Sequence, residues 1–594
     1  MTKKGTFPGP TVAVGGAIVV AGTAVADYHG LYGTALISTG MVLAAGRSAY
    51  WYKRGRHGAA AMIDRWDRQT QRTGGVASRW ERSRTSTRGA MRRRWARHLR
   101  PTLNRQADIM IPDVPGLMAV IRPAERLLSW CMTCWAVART PVETYATYLG
   151  YDNVGGYYVP NNSVVVRIGA ARSGKSAAMG CRIIDHRGPA IVTSTRKDLF
   201  ELTGALREKQ GPVYVFNAGD VGRIPSSLRW SVLAGCKDMD TAMNRANDLI
   251  GEAPDTDRQY WNDQAARLLG PLMYAAAHAN LQMRVVARWV AAGGDEAMAA
   301  WRSIEKILRL TPDGAAALEG LAQFFSMVGS GDRTRLSITN TLMPALAWLA
   351  NPRTAALGDA QGEDLFDVKR DLLDANATIY LLGARQRGVG ALTGALVAEI
   401  VRQASNIAEQ MPSGRLDPQL LLALDELPLT CPGPVQHWVK DMGGRGITMD
   451  LGVQQRAGLD EVWGVEGRRA ILGNAYAVLL GPGCNDPIEV ADWSKLSGVR
   501  KERRPNFDGK RNVTGYSTVD VPVVDHGKIM AIQLGTVIVY TRGRISEIKT
   551  PNAEARRDVR RALREQKRRL VIRPTSAPQT GEEKPVDELV EVGK

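Results

Sequence analysis

Cysteine is scarce in this sequence and acidic residues are outnumbered, and each deficit excludes a class of protein. Six cysteines in 594 residues are too few for a disulfide-rich scaffold, and the one close pair, Cys131 and Cys134, lacks the second ligand pair of a zinc site. There are 59 acidic residues against 78 lysines and arginines, a net charge of +19. This surplus favours an anionic partner, nucleic acid or lipid headgroups.

Charge is missing altogether from two stretches near the N-terminus. Residues 5–26 and 31–46 contain no charged side chain, and the second stretch extends to Tyr52 if Arg47 reaches the headgroups. The short link between them predicts a two-helix transmembrane hairpin over 1–52, with both ends on the cytoplasmic side because basic residues flank it. The alternative is a signal peptide cleaved after Ala26, which leaves the second apolar stretch unexplained.

Basic residues are concentrated directly after the predicted hairpin. Between Lys53 and Arg105 there are 16 lysines and arginines against three acids, a net charge of +13. We expect residues 53–150 to be a basic connector on the inner face of the cytoplasmic membrane, with the bulk of the chain in the cytoplasm. Anionic lipid is the first expected partner because the stretch starts where the second span ends, DNA is the second, and a partner-free spacer is the alternative.

A phosphate-binding loop lies in the middle of the chain. Val164–Ile168 is a β-branched run, the segment after it fits G-x-x-x-x-G-K-S, and Ala177–Asp185 has a helical pattern. In this strand–loop–helix context the backbone N–H groups surround the phosphates of ATP, Lys175 reaches the β- and γ-phosphates, and Ser176 ligates Mg²⁺. The predicted nucleotide-binding residues are Gly169, Ala170, Ala171, Arg172, Ser173, Gly174, Lys175, Ser176 and Ala177.

Acidic residues follow a second apolar run. Leu420–Leu424 is too continuously apolar for an exposed strand, and Asp425 and Glu426 come directly after it. Asp425 is expected to hold Mg²⁺ through water, and Glu426 to orient or deprotonate the attacking water. An acidic turn without catalytic function is the alternative.

A polar side chain also ends a third predicted strand, Met449–Val453. Gln454 follows it and is expected to sense the γ-phosphate. Further strand-like runs alternate with helical segments, which predicts a parallel sheet with helices on both faces, an α/β fold. These runs are Ala190–Thr193, Val213–Phe216, Thr378–Leu382 and Ala477–Leu480, and closing strands are expected within Val519–Ile548.

The order and spacing of these motifs resemble a known family. Between Tyr151 and Gly498 the chain is similar to the coupling ATPases of type IV secretion and conjugation, the TraG/TraD-like group. The segments that carry the resemblance, besides the phosphate loop, are Ser194–Leu199, Gly211–Phe216, Trp230–Leu233, Tyr260–Asn262, Asp425-Glu426, Gly446–Gln454, Ile471–Asn474 and Asn485–Pro487.

The resemblance implies a RecA-like P-loop motor with an inserted all-helical domain. The sequence agrees, because β-branched runs vanish from Lys237 to Asn351 and patterns at helical spacing replace them. We therefore expect the motor at 151–236 and 352–550, the helical domain at 237–351, and a basic helix with an acidic, disordered tail at 551–594. The tryptophans of the helical domain, Trp261, Trp289, Trp301 and Trp348, are expected in its core, with stacking on nucleotides as the alternative.

The resemblance also implies a function. It predicts a membrane-anchored hexameric ATPase that brings a relaxase or other secreted protein, with its DNA, to a type IV secretion channel and drives single-stranded DNA through it. In such a ring an arginine from the neighbouring subunit completes each site; Arg445 is the first candidate and Arg456 the second. Two alternatives stay open: a membrane receptor that uses ATP only as a switch, and a pump for double-stranded DNA of the FtsK type.

Overall fold

The computed structural model describes residues 76–103, 129–328, 332–362, 365–383, 388–508, 513–541 and 544–572. The predicted hairpin, residues 53–75 and 104–128 of the predicted connector, and the predicted acidic tail lie outside these residues. No helix in the described ranges is long and apolar enough to cross a membrane. The described chain forms two compact units, a small one at Asp492–Asp525 and a large one comprising Ala77–Ala491 and the residues from His526 onward.

The described residues form thirteen strands. They are β1 (Ala146–Asp152), β2 (Gly155–Pro160), β3 (Val164–Ile168), β4 (Ala190–Ser194), β5 (Val213–Asn217), β6 (Thr378–Leu382), β7 (Leu420–Leu424), β8 (Ile447–Val453), β9 (Ala477–Leu480), β10 (Val499–Phe507), β11 (Val513–Pro522), β12 (Thr536–Thr541) and β13 (Arg544–Lys549).

Eleven of these strands make one sheet in the large unit, in the order β2-β1-β13-β12-β9-β3-β8-β7-β4-β6-β5. The seven from β9 to β5 run parallel, and the four at the other edge are antiparallel. Every residue of β3, β4, β6, β7 and β8 is buried, as expected of parallel strands covered on both faces. The strands predicted at 164–168, 378–382, 420–424 and 477–480 are confirmed, and each begins and ends at the predicted residues.

Helices connect the strands and cover the sheet. The α-helices are α1 (Arg79–Thr85), α2 (Arg88–Arg94), α3 (Ala96–Leu99), α4 (Lys175–Asp185), α5 (Asp198–Arg207), α6 (Met239–Ile250), α7 (Thr256–His278), α8 (Met283–Ala291), α9 (Gly294–Leu308), α10 (Gly314–Ser326), α11 (Asp332–Leu346), α12 (Pro352–Gly358), α13 (Val389–Gln410), α14 (Leu427–Thr430), α15 (Val435–Asp441), α16 (Ala457–Asn474), α17 (Pro487–Leu496), α18 (His526–Met530) and α19 (Arg557–Ile572). A further helical segment covers 129–139.

The helices α6 to α12 occupy the chain between β5 and β6, where the sequence predicts an inserted helical domain. The longest, α7, buries a run of small and apolar residues that includes Ala265, Leu269 and Ala276. Of the four tryptophans, Trp289 and Trp348 are buried in the core as predicted. Trp261 and Trp301 are only partly buried, and Trp301 packs beside Phe325 with ring centroids 5.3 Å apart.

The first strands begin earlier than the predicted start of the motor at residue 151. β1 starts at Ala146, and the helices before it contribute Met91, Ala96 and Leu99 to a buried cluster with Tyr145. In the same region the Arg82 guanidinium is buried and lies 2.6 Å from the Asp152 carboxylate. Part of the basic stretch thus packs as folded structure beside the sheet.

The prediction of closing strands over 519–548 is partly wrong. β12 and β13 do extend the central sheet, but α18 precedes them and Val519 belongs to β11. β11 pairs with β10 in a separate two-stranded sheet within the small unit. The sequence did not indicate β10 because its residues 500–504 are all charged, so the alternation of apolar side chains that marks a half-buried strand is absent.

Candidate nucleotide-binding site

Three neighbouring parallel strands bring the predicted site residues to one edge of the sheet. β3 leads into the phosphate loop, β7 leads to Asp425 and Glu426, and β8 leads to Gln454. Since β8 lies between β3 and β7 and all three are parallel, their carboxyl ends meet at the same edge. The phosphate loop and the acidic pair Asp425-Glu426, about 250 residues apart in the sequence, are thereby adjacent.

The phosphate loop contains two residues in the left-handed region of backbone conformation. Gly174 and Arg172 both have positive φ, 87° and 64°, and a Cβ at Gly169 would lie 2.9 Å from the Ser173 hydroxyl. The Gly169 N–H donates to the Val453 carbonyl at the end of β8 (3.2 Å), which anchors the loop to the sheet. α4 begins at Lys175, so the N–H groups of its first turn have no partner inside the helix and can bind an anion.

Lys175 lies folded into the loop. Its ammonium donates to the Ala170 carbonyl at 2.9 Å and to the Gly169 carbonyl. Burial lowers the pKa of Lys175, while the charges of Asp425 and Glu426 oppose that shift. The cation is therefore close to both carboxylates and is held by groups that a phosphate can replace.

Ser176 and Asp425, the two predicted Mg²⁺ ligands, are in direct contact. The Ser176 hydroxyl donates to Asp425 Oδ2 at 2.6 Å. Asp425 is buried, and this burial raises its pKa although the Ser176 hydrogen bond acts in the opposite direction. Gly452 on β8 leaves the necessary room, since a Cβ there would lie 2.6 Å from Asp425 Oδ1. A buried carboxylate beside a hydroxyl is a donor pair that suits Mg²⁺.

Glu426 lies at the mouth of the site in a left-handed backbone conformation, with φ of 51°. Its carboxylate accepts hydrogen bonds from the Thr195 hydroxyl and from Gln454 Nε2, the latter at 3.3 Å. Positive φ is unfavourable for a glutamate and is found at sites where a side chain must point in one particular direction. The structure thus links the predicted base to the predicted sensor.

These side chains line one cavity of about 410 Å³. It contains most of the phosphate loop together with Asp425, Glu426 and Gln454. Sequence reasoning missed the opposite wall, which comes from a turn before β12 and from the segment after β13. Neither carries a motif. The residues of that wall are Leu534, Gly535, Thr550, Pro551, Asn552 and Glu554.

The two arginine candidates lie at opposite ends of β8. Arg445 precedes the strand, at the edge away from the phosphate loop, and its Nε is 2.7 Å from Asp441 Oδ2. The same guanidinium also pairs with Glu409. Arg456 follows the strand at the start of α16, close to the phosphate-loop edge, and its N–H donates to Glu489 at 3.4 Å. A role of Arg445 in a neighbouring site stays a prediction.

A buried ion cluster lies inside the sheet below the site. Asp450, in the middle of β8, accepts from Arg167 on β3 at 2.7 and 2.9 Å and lies 3.3 Å from Arg182 on α4. All three side chains are at most 3% exposed. Burial raises the pKa of Asp450, but the two arginines outweigh it and hold that pKa below its usual range. The cluster joins the strand before the phosphate loop, the helix after it and the sensor strand.

Comparison with known proteins gives a consistent result. A family profile described as the TraM recognition site of TraD and TraG matches residues 419–533. Among solved structures, the unbound monoclinic form of the bacterial conjugative coupling protein TrwBdeltaN70 is similar at a TM-score of 0.51 and 15% identity, over 68% of this chain and 88% of that chain. The plasmid coupling protein TrwB in complex with the non-hydrolysable GTP analogue GDPNP is similar at 0.50 and 16%, over 68% and 89%.

Identities this low show the fold alone. The chain has the predicted RecA-like P-loop α/β fold with a helical region. No curated protein sequence matches it significantly.

Proposed function

We propose that this chain, whose residues 419–533 match the profile described as the TraM recognition site of TraD and TraG and which resembles the type IV coupling proteins, is an ATP-driven motor of conjugative DNA transfer. The observation that carries the proposal is the convergence of Lys175, Ser176, Asp425, Glu426 and Gln454 on one cavity. A nucleotide switch without hydrolysis would not need Glu426 to be held by two partners.

The residues of the cavity fit ATP with Mg²⁺. Lys175 is poised to exchange loop carbonyls for phosphate oxygens, and the free N–H groups of the first turn of α4 face the same space. Ser176 and Asp425 would hold the metal, whose charge neutralises the phosphates when it is bound. The desolvation of Asp425 favours this assignment, because a nearby cation would restore its ionised form.

Glu426 is assigned the role of general base and Gln454 that of sensor. The Glu426 carboxylate would take a proton from the attacking water, and its hydrogen bond to Gln454 connects the event to β8. The residue before Gln454 is Val453, whose carbonyl accepts a hydrogen bond from the Gly169 N–H of the phosphate loop. A displacement of Gln454 would therefore be transmitted to the phosphate loop through Val453.

The finer features of the proposal come from the sequence and the family resemblance. They are a membrane anchor at 1–52, assembly as a homohexamer, recruitment of a relaxase or other secreted protein to a channel, contact with anionic lipids, and transport of single-stranded DNA. A TraM-like partner is added by the matched region, whose profile is described as the TraM recognition site.

The test is ATP hydrolysis by the full chain with single-stranded or double-stranded DNA. We expect Mg²⁺-dependent hydrolysis that single-stranded DNA stimulates more strongly, and none in Lys175→Ala. Stimulation by double-stranded DNA alone would indicate the pump of double-stranded DNA. Tight ATP binding with no hydrolysis under any condition would contradict the motor and favour the switch.

A further inference from the structure

The last described helix, α19, has one apolar and one arginine-rich face. Its apolar residues Val559, Ala562 and Leu563 pack in a cluster with Leu206 of α5. Arg557, Arg561 and Arg564 follow each other at intervals of four and three residues, so they lie on one stripe of the helix, and all three are exposed. We call these three residues the arginine stripe.

The side chains of the arginine stripe have no partner among the described residues, unlike those of the neighbouring Arg556 and Arg560. Arg556 lies 2.7 Å from both Asp185 and Asp558, and Arg560 donates to the Glu554 carbonyl at 3.0 Å. The side chains of Arg557, Arg561 and Arg564 form neither an ion pair nor a hydrogen bond with the other described residues. Their positive charge is available to an external anion.

We propose that the arginine stripe binds consecutive phosphates of a nucleic-acid backbone. Guanidinium groups pair with phosphate through two parallel hydrogen bonds. Arg557 and Arg564 are seven positions apart in the sequence, a rise of about 10 Å along the helix. A strand of B-DNA presents roughly three phosphates over that distance, so one guanidinium per phosphate is a geometric match.

A membrane surface is the less suitable partner for the same charges. A helix that lies on a bilayer inserts its apolar face among the lipids, but here that face is buried against α5. The helix also contains no tryptophan or tyrosine, the residues typical of a membrane interface. A soluble polyanion needs only the exposed side.

The arginine stripe is fixed to the nucleotide site. Asn552 and Glu554, just before α19, line the nucleotide cavity. Between them, Ala553 packs closely on α4. A Cβ added at Gly180 of that helix would lie 3.2 Å from the Cβ of Ala553. Arg556 then pairs with Asp185 at the end of α4. The inference rests on the proposed function, and it gives the motor a DNA contact that is joined to its phosphate-loop helix.

The test is DNA binding by the full chain in nanodiscs of neutral lipid, measured across a series of salt concentrations. Replacing the stripe by R557Q/R561Q/R564Q should flatten the slope of log K against log salt by about 2 on single strands and by about 3 on B-DNA, since each lost phosphate contact accounts for roughly 0.7 or 0.9, respectively. The DNA-independent ATPase activity and the thermal unfolding should not change.

The matched control is K369Q/K440Q/K495Q, which removes the same charge from three exposed positions elsewhere in the chain. It should keep the wild-type slope. An unchanged slope in the stripe variant would overturn the inference, as would displacement of the DNA by anionic vesicles but not by neutral ones. Wild-type protein that binds DNA through the stripe but never hydrolyses ATP would leave the inference standing and refute the motor.

Discussion

The neighbouring strands β3, β8 and β7 bring charged or polar groups together at two levels, at the carboxyl edge of the sheet and in its interior. At the edge, Lys175 is held by carbonyl groups of its own loop and Glu426 by two neutral side chains. In the interior, Asp450 is bound by two arginines from two different elements. The edge groups have partners that a ligand can replace, whereas the interior groups have permanent partners.

The residues at the edge are suited to binding and hydrolysing the nucleotide, whereas the interior residues stabilise the arrangement of the strands. A buried carboxylate between two guanidinium groups fixes the register of β8 against β3, because any slip would leave a charge unpaired in the interior. On its other side β8 pairs with β7, and that pairing places Gly452 beside Asp425 and Gln454 beside Glu426. The interior cluster therefore holds the strand that lies between the phosphate loop and the acidic pair, and it does so without lining the nucleotide cavity.

The largest expected effect is on the rate of ATP hydrolysis, and it concerns the residues at the carboxyl edge of the sheet. Glu426→Gln should bind ATP normally but hydrolyse it about 10²–10⁴-fold more slowly, because a glutamine cannot accept the proton of the attacking water. Lys175→Ala should lose both binding and hydrolysis. Nucleotide affinity and ATPase rate, measured on the same preparations, separate the two.

The control for the edge is Glu319→Gln, which changes an exposed glutamate on α10, in the helical region. Its ATPase rate should match that of the wild type. Normal turnover in Glu426→Gln would show that the base is misassigned.

The second effect is on stability and concerns the interior. Asp450→Asn should destabilise the protein by about 3–5 kcal/mol, because two buried guanidinium groups lose their counter-charge. Asp441→Asn also changes an aspartate paired with an arginine, but that pair is exposed, so we expect a loss below about 1 kcal/mol. Thermal unfolding of both variants measures the contrast, and equal losses would show that the cluster does not fix the sheet.

The functional residues at the carboxyl edge of the sheet could be predicted from the sequence far better than the buried ion cluster in its interior. Lys175, Asp425 and Gln454 each come shortly after an apolar run, so local patterns found both the strands and the polar residues beyond their ends. Asp450 interrupts an apolar run, and its partners lie more than 260 residues earlier in the chain. No local pattern indicates which buried charges will meet, because that depends on the strand order.

The same limit applies to the wall of the nucleotide cavity and to the small unit. Leu534 and Asn552 reach the cavity only because β12 and β13 extend the sheet from the far end of the chain. The charged strand β10 gives no alternation of apolar residues. Motifs thus predict the polar residues at the end of a buried strand, and miss the residues that tertiary pairing brings beside them.

The third prediction concerns Arg445, at the amino edge of the sheet. Its exposed pairs with Asp441 and Glu409 add little stability, so Arg445→Ala should shift thermal unfolding only slightly. A loss of ATPase activity in this variant would then point to a role in the neighbouring subunit. Mixed with Lys175→Ala subunits, Arg445→Ala subunits should recover part of the activity, whereas strictly independent loss would refute a role in trans.

The effect that is smallest at neutral pH concerns His186, a buried imidazole in the interior. Burial, with the nearby charges of Arg207 and Arg182, lowers its pKa from 6.5 to about 3, so the folded protein keeps this imidazole neutral. Its Nε2 donates to the Gln419 carbonyl at 2.8 Å. Below pH 6.5 the unfolded chain binds a proton that the folded one does not, and stability therefore falls with falling pH until about pH 3.

The contribution of His186 amounts to about 1.4 kcal/mol per pH unit. Since other groups also titrate in this range, the informative quantity is the difference between wild type and His186→Gln, which keeps a donor for the Gln419 carbonyl. Thermal unfolding between pH 7 and pH 4 should depend less on pH in this variant. The control His437→Gln, at an exposed position, should match the wild type. Parallel curves for all three proteins would show that His186 takes up the same proton in the folded and unfolded states, and that the interior admits a charge without a permanent partner of the kind that Asp450 has.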